Sequence, residues 1–281
     1  MATAFEGRGT VSVIPGNGLT VHSYLSPADG DLVCSDIVET ANRVIIVDAQ
    51  LLLPYAREVR DYATRLGKPI DRVLVTHAHP DHFSGLEVFA DLPIHAGQGT
   101  VYALATWGKG IMDFKRQTLG ERASQYASSL PLPSVTVAPG SETVDGVELV
   151  FAPVYNSEQA EIMTVEIPSE RLLIAADVVY NGVHPVVGDK NPQRERMFDG
   201  WVAALQSLQS RDIARIVPGH GKPTDLASIP PMIEYIQFTK QLFESGVPEG
   251  EFRNQVLARY PGLDGQELVE YSVVFLYHSD W

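Results

Sequence analysis

Three imidazoles and a carboxylate stand within six residues in His77-Ala78-His79-Pro80-Asp81-His82. Packing alone rarely satisfies such a density, and at this spacing the run reads as the first half of a two-metal site rather than as core or surface histidines. The segment Asp71 to Thr76 is short, apolar and β-branched, which predicts a buried strand ending at the motif. Side chains of an extended chain repeat with period two, so His77, His79 and Asp81 project to about the same side and His82 falls out of phase. Pro80 keeps His79 out of helical dihedrals, so a helix begins only beyond it, over Asp81 to Phe89, with His82 on its first turn facing a second centre. The natural division is two of these ligands for each of two metals.

The HxHxDH run resembles, letter for letter, the signature of the metallo-β-lactamase superfamily. That resemblance implies an α/β fold, the four-layer αββα sandwich, with a later ligand loop, a bridging Asp after a strand and a final His in a Gly-His-Gly-like turn. Asp177 follows the strand-like run Arg171 to Ala176, and His220 lies in Pro218-Gly219-His220-Gly221 after the apolar Ile213 to Val217. Both match the pattern, and order and spacing cover the chain from about residue 10 to 225. Asp48, directly after another strand-like run, stands where the superfamily often carries a residue that supports the ligands from behind; capping the next turn is its alternative role.

One ligand departs from the family. Its loop usually carries a His in a Gly-His turn, whereas this chain has Pro153-Val154-Tyr155-Asn156-Ser157-Glu158-Gln159-Ala160-Glu161. Ile162 to Ile167 and Arg171 to Ala176 are strand-like and separated by Pro168-Ser169-Glu170, so they should pair antiparallel around Ser169. Such pairing brings Glu158 and Glu161 close to Asp177. Glu158 falls about where the family's His would fall and is the expected replacement, with Glu161 as competitor and Tyr155 or water as the remaining way to fill the position.

The expected set is then His77, His79 and Glu158 on one metal, Asp81, His82 and His220 on the other, and Asp177 bridging with a hydroxide. Three carboxylates and one hydroxide balance two divalent cations; added carboxylate hardens the site, so manganese or iron competes with zinc, the family's commonest metal. Such a pair of cations activates a shared hydroxide as nucleophile and polarises the substrate, with Asp81 and Asp177 as the expected catalytic carboxylates. The implied reaction is hydrolysis of an ester, lactone, thioester, amide or phosphodiester, and the leading expectation is a small-molecule ester, lactone or thioester. The alternatives are a mononuclear iron dioxygenase resembling the persulfide dioxygenases of the same superfamily, or a non-catalytic metal-binding module.

At 281 residues and 44% hydrophobic content the chain can bury a sizeable core. A single domain over 1–281 is expected, with a helical insertion at about 97–132 and a C-terminal helical extension at about 228–281. A net charge of -14 without runs of Lys or Arg makes a nucleic-acid backbone a poor partner and argues against the superfamily's nucleases. Cys34 is the single cysteine, so no intrachain disulfide forms, a reducing compartment is expected, and the thiol reads as a small buried hydrophobe. Met1 to Arg8 lacks a charged-then-apolar leader and no segment is long enough to span a bilayer, so the expectation is a cytoplasmic protein with no membrane partner, which fits poorly with exported antibiotic-degrading enzymes.

The elements that must position these residues follow from alternating runs and breakers. Thr10 to Ile14, Leu19 to Leu25, Leu32 to Glu39 and Arg43 to Val47 read as strands, and Pro54 to Leu66 as a helix closed near Gly67. Gly97 to Leu132 carries Trp107, Met112, Phe114 and Tyr126 at helical spacing, as a helix over the site or a plain packing helix would. Tyr180 and His184 flank a Gly/Pro-rich loop and are the candidate substrate contacts, with a solvent-facing loop position as the alternative for His184. Pro230 to Ser245, Glu249 to Tyr260 and Gln266 to Leu276 read as amphipathic helices that complete a layer, shape a pocket or form a homodimer face, and the Tyr271 to Tyr277 run is equally compatible with a strand.

Overall fold

The computed structural model describes residues 7–278; the first six residues of the N-terminal reading and the last three of the expected domain lie outside them. Apolar runs flanked by Gly, Pro and Asn become two facing sheets. The first holds β1 (Thr10–Pro15), β2 (Thr20–Leu25), β3 (Cys34–Glu39), β4 (Val44–Val47), β5 (Ile70–Val75), β6 (Ile94–Gly97) and β7 (Val135–Val137) in that order. β1 to β4 are an antiparallel meander, and β4 to β7 run parallel. The second holds β8 (Gly140–Val144), β9 (Val147–Tyr155), β10 (Glu161–Ile167), β11 (Leu172–Asn181) and β12 (Arg215–Gly221), with β12 at one edge paired parallel to β11.

Parallel strands need crossover helices, and these cover the outer faces. Against the first sheet lie α1 (Leu53–Arg65), α2 (Pro80–Phe83) and α3 (Gln98–Thr118); against the second lie α4 (Phe198–Gln209), α5 (Ile229–Glu244), α6 (Glu249–Arg259) and α7 (Leu268–Val273). Val38, Val47, Leu74, Met163, Ile174 and Val217 interdigitate between the sheets. Ile46 and Val73 face outward onto Tyr55 and Val59 of α1, while Leu173 and Ile216 face Trp201, Leu205 and Ile236. Strands covered on both sides have no polar face, which is why Val44-Ile45-Ile46-Val47 is apolar without alternation. The result is the expected αββα sandwich.

Several boundaries differ from those expected, each for a local reason. The Asp81 to Phe89 helix is α2 followed by a 3-10 turn over Ser84–Phe89. Ala49 N donates to His82 O and Gly85 N donates to Gln50 O, so backbone groups a longer helix needs are spent on the neighbouring loop. β3 starts at Cys34 rather than Leu32 because Asp31 and Leu32 have φ of 66° and 55°. β11 does not stop at Ala176 but shifts register there, at φ 46°, and continues to Asn181. The Tyr271 to Tyr277 run is helical, as α7 and then a π-helical turn over Val274–His278, and its strand alternative fails. The helical segment expected at 97–132 holds α3 and a 3-10 turn over Gly120–Gln125.

Candidate metal centre

The site gathers on one rim of the sandwich from three strands and one loop. β5 delivers His77 and, through the Pro80 turn, His79, Asp81 and His82; the loop between β9 and β10 delivers Glu158; β11 delivers Asp177 at its register shift; β12 delivers His220. Two groups of ligand-type atoms result, His77, His79, Glu158 and Asp177 in one and Asp81, His82 and His220 in the other.

Asp177 lies between them. Its Oδ1 is 3.0 Å from His82 Nε2, and its Oδ2 is 3.3 Å from His220 Nε2 and 3.6 Å from His77 Nε2. Asp81 Oδ2 is 3.1 Å from His220 Nε2, and Glu158 Oε2 is 3.1 Å from His79 Nδ1 and 3.8 Å from His77 Nε2. Donors sharing one tetrahedral cation at its usual bond lengths stand about 3.4 Å apart, which is the spacing of these atoms. Moreover, His77 Nε2, His82 Nε2, His220 Nε2, Asp177 Oδ1 and both Glu158 oxygens are buried without hydrogen-bond partners. Six orphaned polar atoms turned on one volume are costly unless a cation completes them, so the residues fit the metals expected of them.

The outward ring nitrogens are all engaged, and this fixes which nitrogen faces the centre. Asp48 Oδ1 accepts from Thr76 N at 2.8 Å, and its Oδ2 accepts from Thr76 Oγ1 and His82 Nδ1, each at 2.7 Å. With the Thr76 hydroxyl donating to Asp48, His77 Nδ1 donates to Thr76 Oγ1 at 2.9 Å. Asp48 thus orients one imidazole of each group, which is more than a turn cap. His220 Nδ1 donates to Asp31 O at 2.9 Å, and His79 Nε2 lies 3.4 Å from Asp189 Oδ2 with its ring stacked on Phe275.

Charge follows this geometry. Burial opposes ionisation of every group, yet the Asp177 carboxyl is held well below its usual range by His82, His220 and His77 around it. Burial lowers the His220 imidazole, but Asp177 and Asp81 more than reverse this and raise it to about 10. Burial dominates at Glu158 and pushes it up to about 7 despite His79.

The two candidate carboxylates of the loop separate cleanly. Glu158 is in the cluster, whereas Glu161 Oε1 accepts from Gly99 N at 2.9 Å in the first turn of α3. Tyr155 is exposed, whereas Glu158 is buried. Tyr180, expected as a substrate contact, is buried: its hydroxyl donates to Asp177 Oδ2 at 2.7 Å and its ring stacks on His220 at 4.6 Å. His184 is neither solvent-facing nor in the cluster; it is fully buried, with Nδ1 3.2 Å from the Tyr235 hydroxyl. Cys34 is buried, its Sγ donating to Gly221 O at 3.0 Å. Asp31, Asp189 and Phe275 touch the ligands without any local signal in the sequence.

Gly219 makes the close approach of β12 to Asp177 possible, since a Cβ there would strike Asp177 Oδ1, the Ala176 carbonyl carbon and Asp177 N. Gly219→Ala is therefore expected to cost about 1–3 kcal/mol of stability and to displace the carboxylate. Gly250→Ala, where a Cβ meets nothing within 4 Å, should leave stability unchanged or raised. Thermal melts with metal counts check this; a Gly219→Ala protein with wild-type melting and metal content would refute it.

A sequence model of the family described as the metallo-beta-lactamase superfamily matches residues 37–220. Among curated proteins the chain is 26% identical over 217 residues to a linear primary-alkylsulfatase of Pseudomonas sp. (strain ATCC 19151), covering 66% of this chain and 41% of that protein. It is 24% identical over 189 residues to an alkyl/aryl-sulfatase of Saccharomyces cerevisiae (strain ATCC 204508 / S288c), covering 55% and 29%. The chain thus spans less than half the length of these relatives. Among solved structures, a double mutant of the sec-alkyl sulfatase PisA1 superposes with a TM-score of 0.62 at 18% identity over 95% of this chain and 50% of that one. A metallo-beta-lactamase from Pontibacter korlensis gives 0.59 at 18% identity over 81% and 99%. Among the described residues no helix is long and apolar enough to cross a membrane.

Proposed function

The chain belongs to the metallo-β-lactamase superfamily, and from that premise we propose that it is a dinuclear metal-dependent hydrolase of small-molecule esters, lactones or thioesters. The observation that carries this reading is the convergence of six unpartnered buried polar atoms in two adjoining groups, with Asp177 of the first within 3.3 Å of His82 and His220 of the second. Bound divalent cations, with manganese and iron competing with zinc in this carboxylate-rich set, supply Lewis acidity that acidifies water and polarises the substrate. The protein's own part is positional. Asp177 spans the two groups and Asp48 sets one imidazole in each. His79 and Asp81 have side chains 13% and 15% exposed where the other cluster side chains are at 1% or less, so substrate approaches over these two. Asp81 is accordingly the cluster carboxylate placed to exchange a proton with solvent. A reducing, cytoplasmic setting belongs to the same reading, supported by the lone buried thiol.

A narrower reading is favoured by the relatives: three of them carry alkylsulfatase names, which brings sulfate esters into the substrate class. The test is a set of carboxylic esters, lactones, thioesters and alkyl sulfates assayed on protein loaded with zinc, manganese or ferrous iron, with metal counted per chain. Acyl-ester turnover needing two metals supports the proposal. Turnover of alkyl sulfates alone moves the substrate class, oxygen consumption at one iron per chain overturns hydrolysis, and two metals with no turnover leaves a binding module.

A further inference from the structure

Behind His220 lies a buried polar unit built from distant parts of the chain. Asp31 sits at the end of the β2–β3 connection with φ 66°, and Leu32 follows at φ 55°. Two successive left-handed residues that are not glycine need something to hold them. The Asp31 side chain, 1% exposed, supplies it: Oδ2 is 2.7 Å from Lys115 Nζ of α3 and accepts from the Tyr271 hydroxyl of α7 at 3.2 Å. Arg122 lies 3.6 Å from Oδ1, and the Lys115 ammonium sits 3.8 Å over the Tyr271 ring. The backbone so held is the one that meets β12. Asp31 O takes the His220 Nδ1 hydrogen, Gly221 N donates to Leu32 O at 3.3 Å, and Val33 bridges His220.

We propose that Asp31, Lys115 and Tyr271 act as positioning residues for the His220 half of the metal centre, holding the Asp31 carbonyl where it keeps the His220 Nε2 turned inward. The helical insertion and the C-terminal helix are then part of the site's construction rather than covering layers. A buried ion pair is by itself weak evidence for stability, since its desolvation offsets its attraction. Its use here is geometric: loss of Lys115 removes the nearest of the partners that hold the Asp31 side chain, the hold on the left-handed conformation loosens, and the carbonyl moves with it. Glu158, His77 and His79 make none of these contacts, so the effect falls on one metal of the two.

This rests on the two-metal reading, and the experiment separates the two. Full-length wild type, Lys115→Met, Lys115→Arg and Tyr271→Phe are stripped and titrated calorimetrically with Mn(II), and their Co(II) absorption spectra are recorded. Wild type should show two sites. Lys115→Met should weaken one by about 10–100-fold, as expected when an outer partner of a ligand is lost, leave the other within about twofold, and alter the Co(II) bands of one ion only. Lys115→Arg should restore the weakened site, and Tyr271→Phe should shift the same site less. If Lys115→Met does not fold, Tyr271→Phe, which loses one hydroxyl, still reads out the selective loss. Two unchanged sites in folded Lys115→Met, or equal weakening of both, overturn the inference alone. A wild type that binds no metal overturns it together with the two-metal reading.

Discussion

Asp177→Asn should remove both metals at low-micromolar free metal and lower kcat/KM by about 10²- to 10⁴-fold. Asn keeps the shape of Asp but replaces one oxygen with an amide that carries hydrogens and cannot ligate. Asp177 is the carboxylate that lies between the two groups, within 3.0 Å of His82 Nε2, 3.3 Å of His220 Nε2 and 3.6 Å of His77 Nε2, and it is 1% exposed. Breaking a buried charged partnership on one side costs about 3–5 kcal/mol, which converts to the stated range. Tyr180 can still donate to the remaining oxygen, so the backbone at the register shift should hold and the variant should fold. Metal content by mass spectrometry and steady-state kinetics with added metal decide the matter. A folded variant with two metals and unchanged kcat/KM would refute the assigned role.

Much of this site was legible because its information is local. His77, His79, Asp81 and His82 sit within six residues at the end of a β-branched run, and Asp177 and His220 each follow an apolar strand. Period-two and strand-end reasoning reaches such residues directly. The antiparallel hairpin of β10 and β11 was equally readable from its turn. What was not readable depends on distant chain. Nothing near residue 161 says that its carboxylate is taken by Gly99 N, 62 residues upstream, and that contact separates Glu161 from Glu158. Asp189 reaches His79 from a loop, and Asp31 reaches His220 across 189 positions. Likewise the π-helical turn that stacks Phe275 on His79 lies in an apolar run that fits strand or helix until α5 and α6 are in place.

Glu158 is the residue expected to stand in for the family's loop His, and its replacement should change which metal binds as well as how tightly. Both Glu158 oxygens are buried without hydrogen-bond partners, and Oε2 faces His79 Nδ1 at 3.1 Å and His77 Nε2 at 3.8 Å. Glu158→Gln preserves volume, removes the charge and should weaken the His77–His79 site by about 10²-fold, the low end for a buried charged partner. Asp81, His82 and His220 form the other group, and their site should change far less. Glu158→His supplies a neutral nitrogen where a hard anionic oxygen stood. Imidazole favours zinc over manganese more strongly than carboxylate does, so this variant should raise zinc occupancy relative to manganese at that site. It also leaves the paired cations with one less negative ligand, which should favour substrates whose anionic group supplies it. Loading each protein from equimolar zinc, manganese and ferrous iron, then counting metals, reads both effects. Wild-type affinity in Glu158→Gln together with wild-type preference in Glu158→His would remove Glu158 from the ligand set, leaving the first metal to His77, His79 and the shared Asp177.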